Sequence, residues 1–109
     1  MDVKVIEQCC APLLAAPLDE QAAADLASGF KVLADPVRLR LLSLIAAAPG
    51  GSACSCDLEA PVGKSQSTVS HHLSVLAGAG LITKEKVGRW VMCSVVPGRV
   101  ALLRDALGG

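Results

Sequence analysis

Apolar residues recur at three- and four-residue spacing along most of the chain, which is the pattern of amphipathic helices. One such stretch follows Asp19 and runs to about Ala34, and a second runs from Pro36 to Ala48. Aspartate is a good N-cap and proline a good first helical residue, so Asp35-Pro36 predicts the boundary between the two helices. The stripes that we expect them to bury are Ala23, Leu26, Phe30 and Leu33 in the first and Val37, Leu41, Leu44 and Ile45 in the second.

Shorter elements follow. The pattern predicts, in order, a short helix over Cys54–Ala60, a turn at Pro61-Val62-Gly63, a helix from Ser65 to about Ala77, two strands over Leu81–Val87 and Trp90–Val96 joined at Gly88-Arg89, and a last helix from Pro97. The buried stripes expected in the last two helices are Val69, Leu73 and Leu76, and Val100, Leu103 and Leu107. The sequence therefore predicts a mainly α fold with a β-hairpin wing, which is an α+β arrangement. Its elements follow the order of a winged helix-turn-helix.

The length of 109 residues fits one small domain, and 52% apolar residues exclude a disordered chain. We expect residues 1–18 to form an arm whose Ile6, Leu13 and Leu14 are available for burial, and residues 19–109 to form the domain. No apolar run approaches the roughly 20 residues of a membrane span, and the first residues lack the layout of a secretory signal. Five cysteines, an odd number, favour metal or redox chemistry in the cytoplasm over a disulfide scaffold.

The net charge of zero conceals an uneven distribution. Residues 1–35 carry six acidic and two basic side chains, whereas residues 36–109 carry eight basic and four acidic ones. A neutral protein with a basic C-terminal part can meet a polyanion with one face. A solvated charged surface would give the same counts.

The predicted helix over residues 65–77 presents an uncharged polar face of hydrogen-bonding side chains, which suits the reading of base edges in the major groove. The candidate DNA-binding residues on and beside it are Lys64, Gln66, Ser67, Ser70, His71 and Ser74. The candidates on the wing, expected to reach phosphates, are Lys84, Lys86 and Arg89. Adjacent helical residues point about 100° apart, so His71 and His72 are poor co-ligands, and we place His72 in the helix-packing interface.

Three segments resemble the ArsR/SmtB family of metal-responsive repressors: VLADPVRLRLL at 32–42, STVSHHL at 67–73 and AGLI at 79–82. The resemblance covers roughly residues 20 to 106 and implies a winged-helix homodimer that binds an inverted-repeat operator in double-stranded DNA and releases it when metal binds. It also implies that Gln66, Ser67, Ser70 and His71 contact bases. Ser67-Thr68 stands where relatives often have Pro-Thr, and Lys64 replaces a commoner apolar residue, so the operator sequence is left open.

Four of the cysteines form two pairs, Cys9-Cys10 in the arm and Cys54-x-Cys56 before the turn. Thiophilic ions prefer thiolates to imidazole or carboxylate. Arsenite or antimonite takes three thiolates, and cadmium, lead or zinc can take four, so a site must join the arm to the segment before the turn. Cys93 stands alone and is interpreted as a small buried apolar residue.

The resemblance is more specific at these cysteines. The Cys54-Ser55-Cys56-Asp57-Leu58 run is similar to the element of the arsenic-sensing branch, and Cys9-Cys10 resembles the paired-cysteine arm of actinobacterial arsenic sensors. This implies two ligands from the arm and one from Cys54 or Cys56. The zinc-sensing members use Asp/His and His/Glu pairs on the last helix, and the last helix here has no histidine.

The resulting hypothesis is a repressor that leaves its operator when As(III) or Sb(III) binds to Cys9, Cys10 and one of Cys54 and Cys56. The alternatives are a cadmium or lead sensor with four thiolates and a thiol redox switch. A small thiol reductase is disfavoured because neither pair has the Cys-x-x-Cys spacing and no βαβ pattern surrounds them. We therefore expect no enzyme activity and no membrane partner.

Overall fold

The computed structural model describes residues 12–108, and all structural statements below refer to this part of the chain. It contains five helices, α1 (Glu20–Leu33), α2 (Pro36–Ala47), α3 (Glu59–Val62), α4 (Gln66–Gly78) and α5 (Pro97–Ala106), and three strands, β1 (Ser52–Cys54), β2 (Ile82–Val87) and β3 (Trp90–Val95). Two 3₁₀ turns, Pro49–Gly51 and Ser55–Asp57, flank β1. This is the predicted winged helix-turn-helix with a hairpin wing. None of the described helices is long and apolar enough to cross a bilayer.

Side-chain caps begin three of the helices at the predicted places. The Asp19 carboxylate accepts the N–H of Ala22 at 2.8 Å at the start of α1. The Asp35 carboxylate accepts the N–H groups of Val37 and Arg38 at 2.8 and 3.1 Å at the start of α2. Ser65 caps α4 in the same way through its hydroxyl. Because capping chemistry is local, these boundaries were readable from the sequence.

The segment before the turn differs from its prediction. Cys54 is the last residue of β1 and Ser55–Asp57 form a 3₁₀ turn, so the predicted helix over Cys54–Ala60 is wrong and a short helix begins only at Glu59. β1 pairs antiparallel with β3, in the register Ser52↔Ser94 and Cys54↔Met92. The three residues of β1 are too few to show an alternating apolar pattern in the sequence. Their extended conformation is set by pairing with β3, about forty residues further along the chain.

The wing is a three-stranded sheet in the order β1-β3-β2. β2 and β3 form the predicted hairpin, with Val87 opposite Trp90 and Gly88 at φ 62° in the turn. The backbone twist of such a two-residue turn requires positive φ, which glycine adopts without strain. β1 lies on the other side of β3, so the wing is physically continuous with the segment that carries Cys54.

The core lies between the helices and the inner face of this sheet. The confirmed core positions are Leu26, Leu41, Ile45, Val69, Leu73, Leu76, Leu103 and Cys93. Phe30, Leu33, Val37, Leu44 and Val100 are half-buried and pack against this core. Ala23 and Leu107 are exposed, so their predicted burial is wrong for the single chain.

The residues before α1 run past the end of α5. The N–H of Leu13 donates to the carbonyl of Ala106 at 2.8 Å. Leu13 and Leu14 are both exposed in the single chain, contrary to the expected burial, and Ile6 lies outside the described residues.

Asp35 provides a test of the capping interaction. The backbone N–H of Arg38 donates to this carboxylate and holds the pKa of Asp35 below its usual value, and the N–H of Val37 and the charge of Arg38 act in the same direction. We expect Asp35→Ala to lower the free energy of unfolding by about 1 kcal/mol, measured by urea titration at pH 7. Asp35→Asn is the matched control, because the amide oxygen still caps the helix.

The same carboxylate makes a pH-dependent contribution. Since its folded pKa is lowered, its contribution is present above the unfolded pKa and is lost as pH falls through the folded pKa. Between pH 7 and pH 3 the wild type should therefore lose more stability than Asp35→Asn, and equal losses would contradict this account.

Candidate DNA-reading surface and thiol site

The solvent-facing side of α4 carries the residues predicted to read DNA. Val69, Leu73 and Leu76 are buried at helical spacing, which turns the opposite side of α4 outward. The predicted residues that lie exposed on or beside this side are Lys64, Gln66, Ser67, Ser70, His71 and Ser74. The structure thus brings them onto one face, which we call the reading face.

The N-terminal end of the reading face is held by hydroxyl contacts. The Ser65 hydroxyl lies 3.2 Å from the Ser67 hydroxyl and donates to that of Thr68 at 3.1 Å. It also accepts the N–H of Thr68 at 3.3 Å. The first turn of α4 is therefore ordered by its own side chains before any ligand arrives.

The two histidines have different environments, as predicted. His71 is exposed on the reading face, whereas His72 is half-buried and its Nδ1 lies 3.2 Å from a guanidinium nitrogen of Arg38 on α2. Their ring centroids are 5.7 Å apart with the planes tilted by 58°. Among the described residues, neither histidine belongs to a cluster of three potential metal ligands.

The wing brings cations beside α4. Lys86 and Arg89 are exposed toward the hairpin tip, and Lys84 donates to the Ser74 hydroxyl at 3.0 Å. This last contact joins β2 to the reading face, so Lys84 and Ser74 bind each other in the structure as it stands. The guanidinium carbon of Arg89 lies 4.8 Å from the centroid of the Trp90 ring, a cation–π contact on an exposed indole.

Three contributions to this surface were missed by sequence reasoning. The guanidinium of Arg89 lies over the Trp90 ring, Arg38 contacts His72 on α4, and Arg40 donates to the carbonyl of Pro61 in α3 at 2.8 Å. Arg38 and Arg40 lie outside the predicted apolar stripe of α2, and the sequence assigned them no partner. Their partners lie 21 and 34 positions along the chain, and no local pattern identifies such contacts.

The thiol site lies where β1 ends. The Cys54, Cys56 and Asp57 side chains offer ligand atoms that all lie within 4.8 Å of one another. The tight 3₁₀ turn causes this proximity, and the N–H of Cys56 donates to the sulfur of Cys54 at 3.4 Å. Two thiols and a carboxylate at this spacing can hold a thiophilic ion. Asp57 was not predicted as a ligand, although its position directly after Cys56 was visible.

The electrostatics of the site favour protonated Cys56. A hydrogen bond with the Cys54 thiol raises the pKa of Cys56 to about 11, and partial desolvation and the neighbouring Asp57 carboxylate act in the same direction. A thiophilic ion must displace this proton to bind the thiolate, so binding releases protons and is pH-dependent.

Space is available beside the thiols. A cavity of about 380 Å³ opens next to Cys54 and Asp57, and the residues that line the remainder of its wall are Leu44, Ala48, Pro49, Ser52, Ala53, Leu58 and Met92. Cys54 is half-buried and Cys56 exposed, so an ion at the pair would be partly shielded from water.

The remaining cysteines are Cys93, which the structure describes, and the arm residues Cys9 and Cys10. Cys93 is fully buried, burial raises the pKa of its thiol, and it faces Ala53 and Lys84 across the sheet, as expected for a core residue. All three described cysteines are free thiols. Cys9 and Cys10 lie outside the described residues, and their predicted role as ligands stays a prediction.

Comparison with known proteins gives consistent matches. Residues 35–84 match the family model "Bacterial regulatory protein, arsR family". The HTH-type transcriptional regulator NmtR of Mycobacterium tuberculosis is 41% identical over 90 residues, which cover 83% of this chain and 72% of the relative. A putative arsenical resistance operon repressor, ArsR2 of Halobacterium salinarum, is 44% identical over 84 residues, 77% of this chain and 68% of the relative.

Solved structures of transcriptional regulators also match the fold of this chain. The crystal structure of AntR, an antimony-specific transcriptional repressor, has a TM-score of 0.70 and 30% identity, and covers 94% of this chain and 93% of that one. A possible transcriptional regulator for arsenical resistance has a TM-score of 0.66 and 35% identity, and covers 73% of this chain and 80% of that one.

The raised pKa of Cys56 is directly testable. In the metal-free protein, alkylation of Cys56 by iodoacetamide should be slow at pH 7 and rise toward a midpoint near pH 11, followed by peptide mass spectrometry. Asp57→Asn should move the midpoint to lower pH, because it removes a negative charge that opposes the thiolate. Buried Cys93 is the internal reference for slow labelling, and fast labelling of Cys56 at pH 7 would refute the assignment.

Proposed function

The chain belongs to the ArsR family of metal-responsive transcriptional repressors, and we propose that trivalent arsenic or antimony bound to its cysteine thiolates is the signal that releases it from its operator. The observation that carries the proposal is the Cys54–Cys56 thiol pair, whose sulfur atoms lie within 4.8 Å of each other beside an open cavity. The names of the arsenical-resistance and antimony-specific relatives support the same class of inducer.

The ligand chemistry supports a site larger than this pair. Trivalent arsenic takes three thiolates, and the described residues supply two in one turn, at Cys54 and Cys56. Cys9 and Cys10 of the arm are the proposed source of the remaining ligands. Asp57 is close enough to accept a proton that leaves a thiol or to occupy a coordination position of a harder ion.

The position of the pair suggests how binding would reach DNA. Cys54 ends the strand that pairs with β3 of the wing, and Cys56 precedes the buried Leu58 and the helix-turn-helix. An ion that draws these thiols and the arm together would constrain the connection between the wing and α4. By linkage, DNA must then weaken inducer binding by the same factor, typically 5- to 150-fold.

A homodimer is part of the proposal. An apolar groove of about 490 Å³ lies between α2 and α5, with Leu39, Leu42, Val95 and Val100 among its lining residues. Leu39, which lines this groove, and Leu107 on the chain after α5 are about half exposed in the single chain, and a second copy would cover apolar surface here. Two copies would present two reading faces to an inverted repeat, with half-sites one helical turn or a multiple apart.

The alternatives predict different inducers. A cadmium or lead sensor would use four thiolates. A redox switch would join an arm cysteine to Cys54 or Cys56, and the raised pKa of Cys56 disfavours a reactive thiolate there. The relatives are named as transcriptional regulators, and we propose no enzymatic activity for this chain.

Inducer identity is tested by fluorescence anisotropy with DNA from upstream of the protein's own gene, titrated under reducing conditions. Arsenite and antimonite should lower DNA affinity by about 5- to 150-fold, and zinc should not. Cys54→Ser with Cys56→Ser, and Cys9→Ser with Cys10→Ser, should each abolish the response while leaving metal-free DNA binding intact. Cys93→Ala is the control that keeps it.

The outcomes separate the hypotheses. Release by cadmium alone identifies the four-thiolate sensor, and release by peroxide alone identifies the redox switch. Retention of the arsenite response in the Cys54→Ser, Cys56→Ser double variant would refute the proposed site.

Phosphate contacts by the wing are tested through salt dependence. Lys86→Ala should weaken binding to all sequences and reduce the slope of log K against log salt by about 1, because one released counterion is lost. Gln66→Ala should instead weaken binding to the operator more than to random DNA, with the slope unchanged. Trp90, the single tryptophan, reports wing binding by its fluorescence. An unchanged slope in Lys86→Ala would exclude the phosphate contact.

A further inference from the structure

We infer that Arg38 is a positioning residue that fixes the recognition helix α4 against the corner of α1 and α2, through the unprotonated Nδ1 of His72. It acts on DNA binding without touching DNA. This role requires neither the arm nor an inducer, so it stands apart from the metalloid proposal.

Arg38 is largely buried and is bonded to other parts of the protein. Its side chain is only 16% exposed. Its Nε donates to the carbonyl of Val32 at 2.6 Å. Val32 belongs to the last turn of α1, where carbonyls have no partner within the helix, so Arg38 satisfies a group that would otherwise lack one.

The same guanidinium reaches α4. One terminal nitrogen lies 3.2 Å from Nδ1 of His72 and 3.9 Å from the Asp35 carboxylate. Arginine has donors and no acceptor, so His72 must present a lone pair at Nδ1 and carry its proton on Nε2. The charged and titratable groups that the structure places near His72 include Arg38 on α2, the N-cap Asp35 before it, and His71 on the same helix as His72.

The consequence for DNA reading is geometric. His72 follows His71 and lies two residues after Ser70, both on the reading face. Since residues of one helix move together, a bond that fixes the rotation of His72 also fixes the direction of these side chains. The planar fork of arginine binds Val32 and His72 at once, and lysine cannot bind both in this geometry.

A rival explanation is that Arg38 contacts a DNA phosphate. The two roles differ in salt dependence, because only a phosphate contact releases a counterion. The burial of Arg38 and its contacts with Val32, His72 and Asp35 favour the positioning role.

The first test compares Arg38→Met and Arg38→Lys with Lys86→Ala in operator binding between 50 and 200 mM salt. Both Arg38 variants should lose affinity about ten-fold, the scale of a hydrogen bond to a charged group, with the wild-type salt slope. A slope reduced by about 1 in Arg38→Met would make it a phosphate contact and overturn the inference. Circular dichroism melting sets a temperature at which every variant is folded.

The second test uses His72 and remains informative if Arg38→Met does not fold. His72→Asn keeps an acceptor oxygen near the place of Nδ1 and should bind operator DNA like the wild type. His72→Leu removes the acceptor and should lose the same affinity as Arg38→Met, with no further loss in the double variant. Equal losses in His72→Asn and His72→Leu, or additive losses in the double variant, would overturn the inference.

A third readout is spectroscopic. The chain has two histidines, so long-range ¹⁵N–¹H spectra can be assigned by comparison with His71→Asn. At pH 7.5 the Nδ1 of His72 should show the shift of an unprotonated ring nitrogen. Protonated Nδ1 in the neutral ring would exclude the bond from Arg38.

Discussion

Burial of one apolar stripe on α4 determines which side of this helix faces outward, and with it where the side chains of the reading face stand. Val69, Leu73 and Leu76 are the stripe, and each is almost completely withdrawn from water. Burying side chains of this size stabilises a fold by about 1.5–3 kcal/mol each. No other rotation of α4 keeps that energy, so the polar side of the helix must face outward. The reading face is therefore a consequence of core packing.

Polar contacts then set the finer geometry that apolar packing leaves open. Apolar contacts are non-directional, whereas hydrogen bonds fix angles. Arg38 to His72 on one side of α4 and Lys84 to Ser74 on the other tie the helix to α2 and to the wing. Arg40 ties α2 to α3 through the carbonyl of Pro61. The helix-turn-helix and the wing thus behave as connected parts.

The strand β1 links the thiol site to this frame. Because Cys54 is both the end of β1 and a member of the thiol pair, the proposed inducer would bind on the wing sheet itself. The charge state of Cys56 also differs between the metal-free protein and one that holds an ion at the thiol pair. A pKa of about 11 keeps Cys56 protonated until an ion displaces the proton, so the metal-free protein carries no thiolate charge at Cys56 beside the Asp57 carboxylate.

The sequence by itself determined the four longer helices, the side-chain caps that begin three of them, the hairpin and the polar face of α4. These features depend on spacing and on side chains that act within four residues, as Asp35 does for α2 and Gly88 for the hairpin. It also indicated that Cys93 belongs to the core and that Cys54 and Cys56 form a pair.

Only the tertiary structure decided the rest. The conformation at Cys54 depends on pairing with Met92, and the roles of Arg38 and Arg40 depend on acceptors in α1, α3 and α4. Ala23 and Leu107 show the converse limit, since helical spacing identified an apolar stripe but not which part of it one chain can cover. Local propensity is short-ranged, whereas strand pairing and polar contacts between helices join residues that are distant in the sequence and become neighbours only when the core has formed.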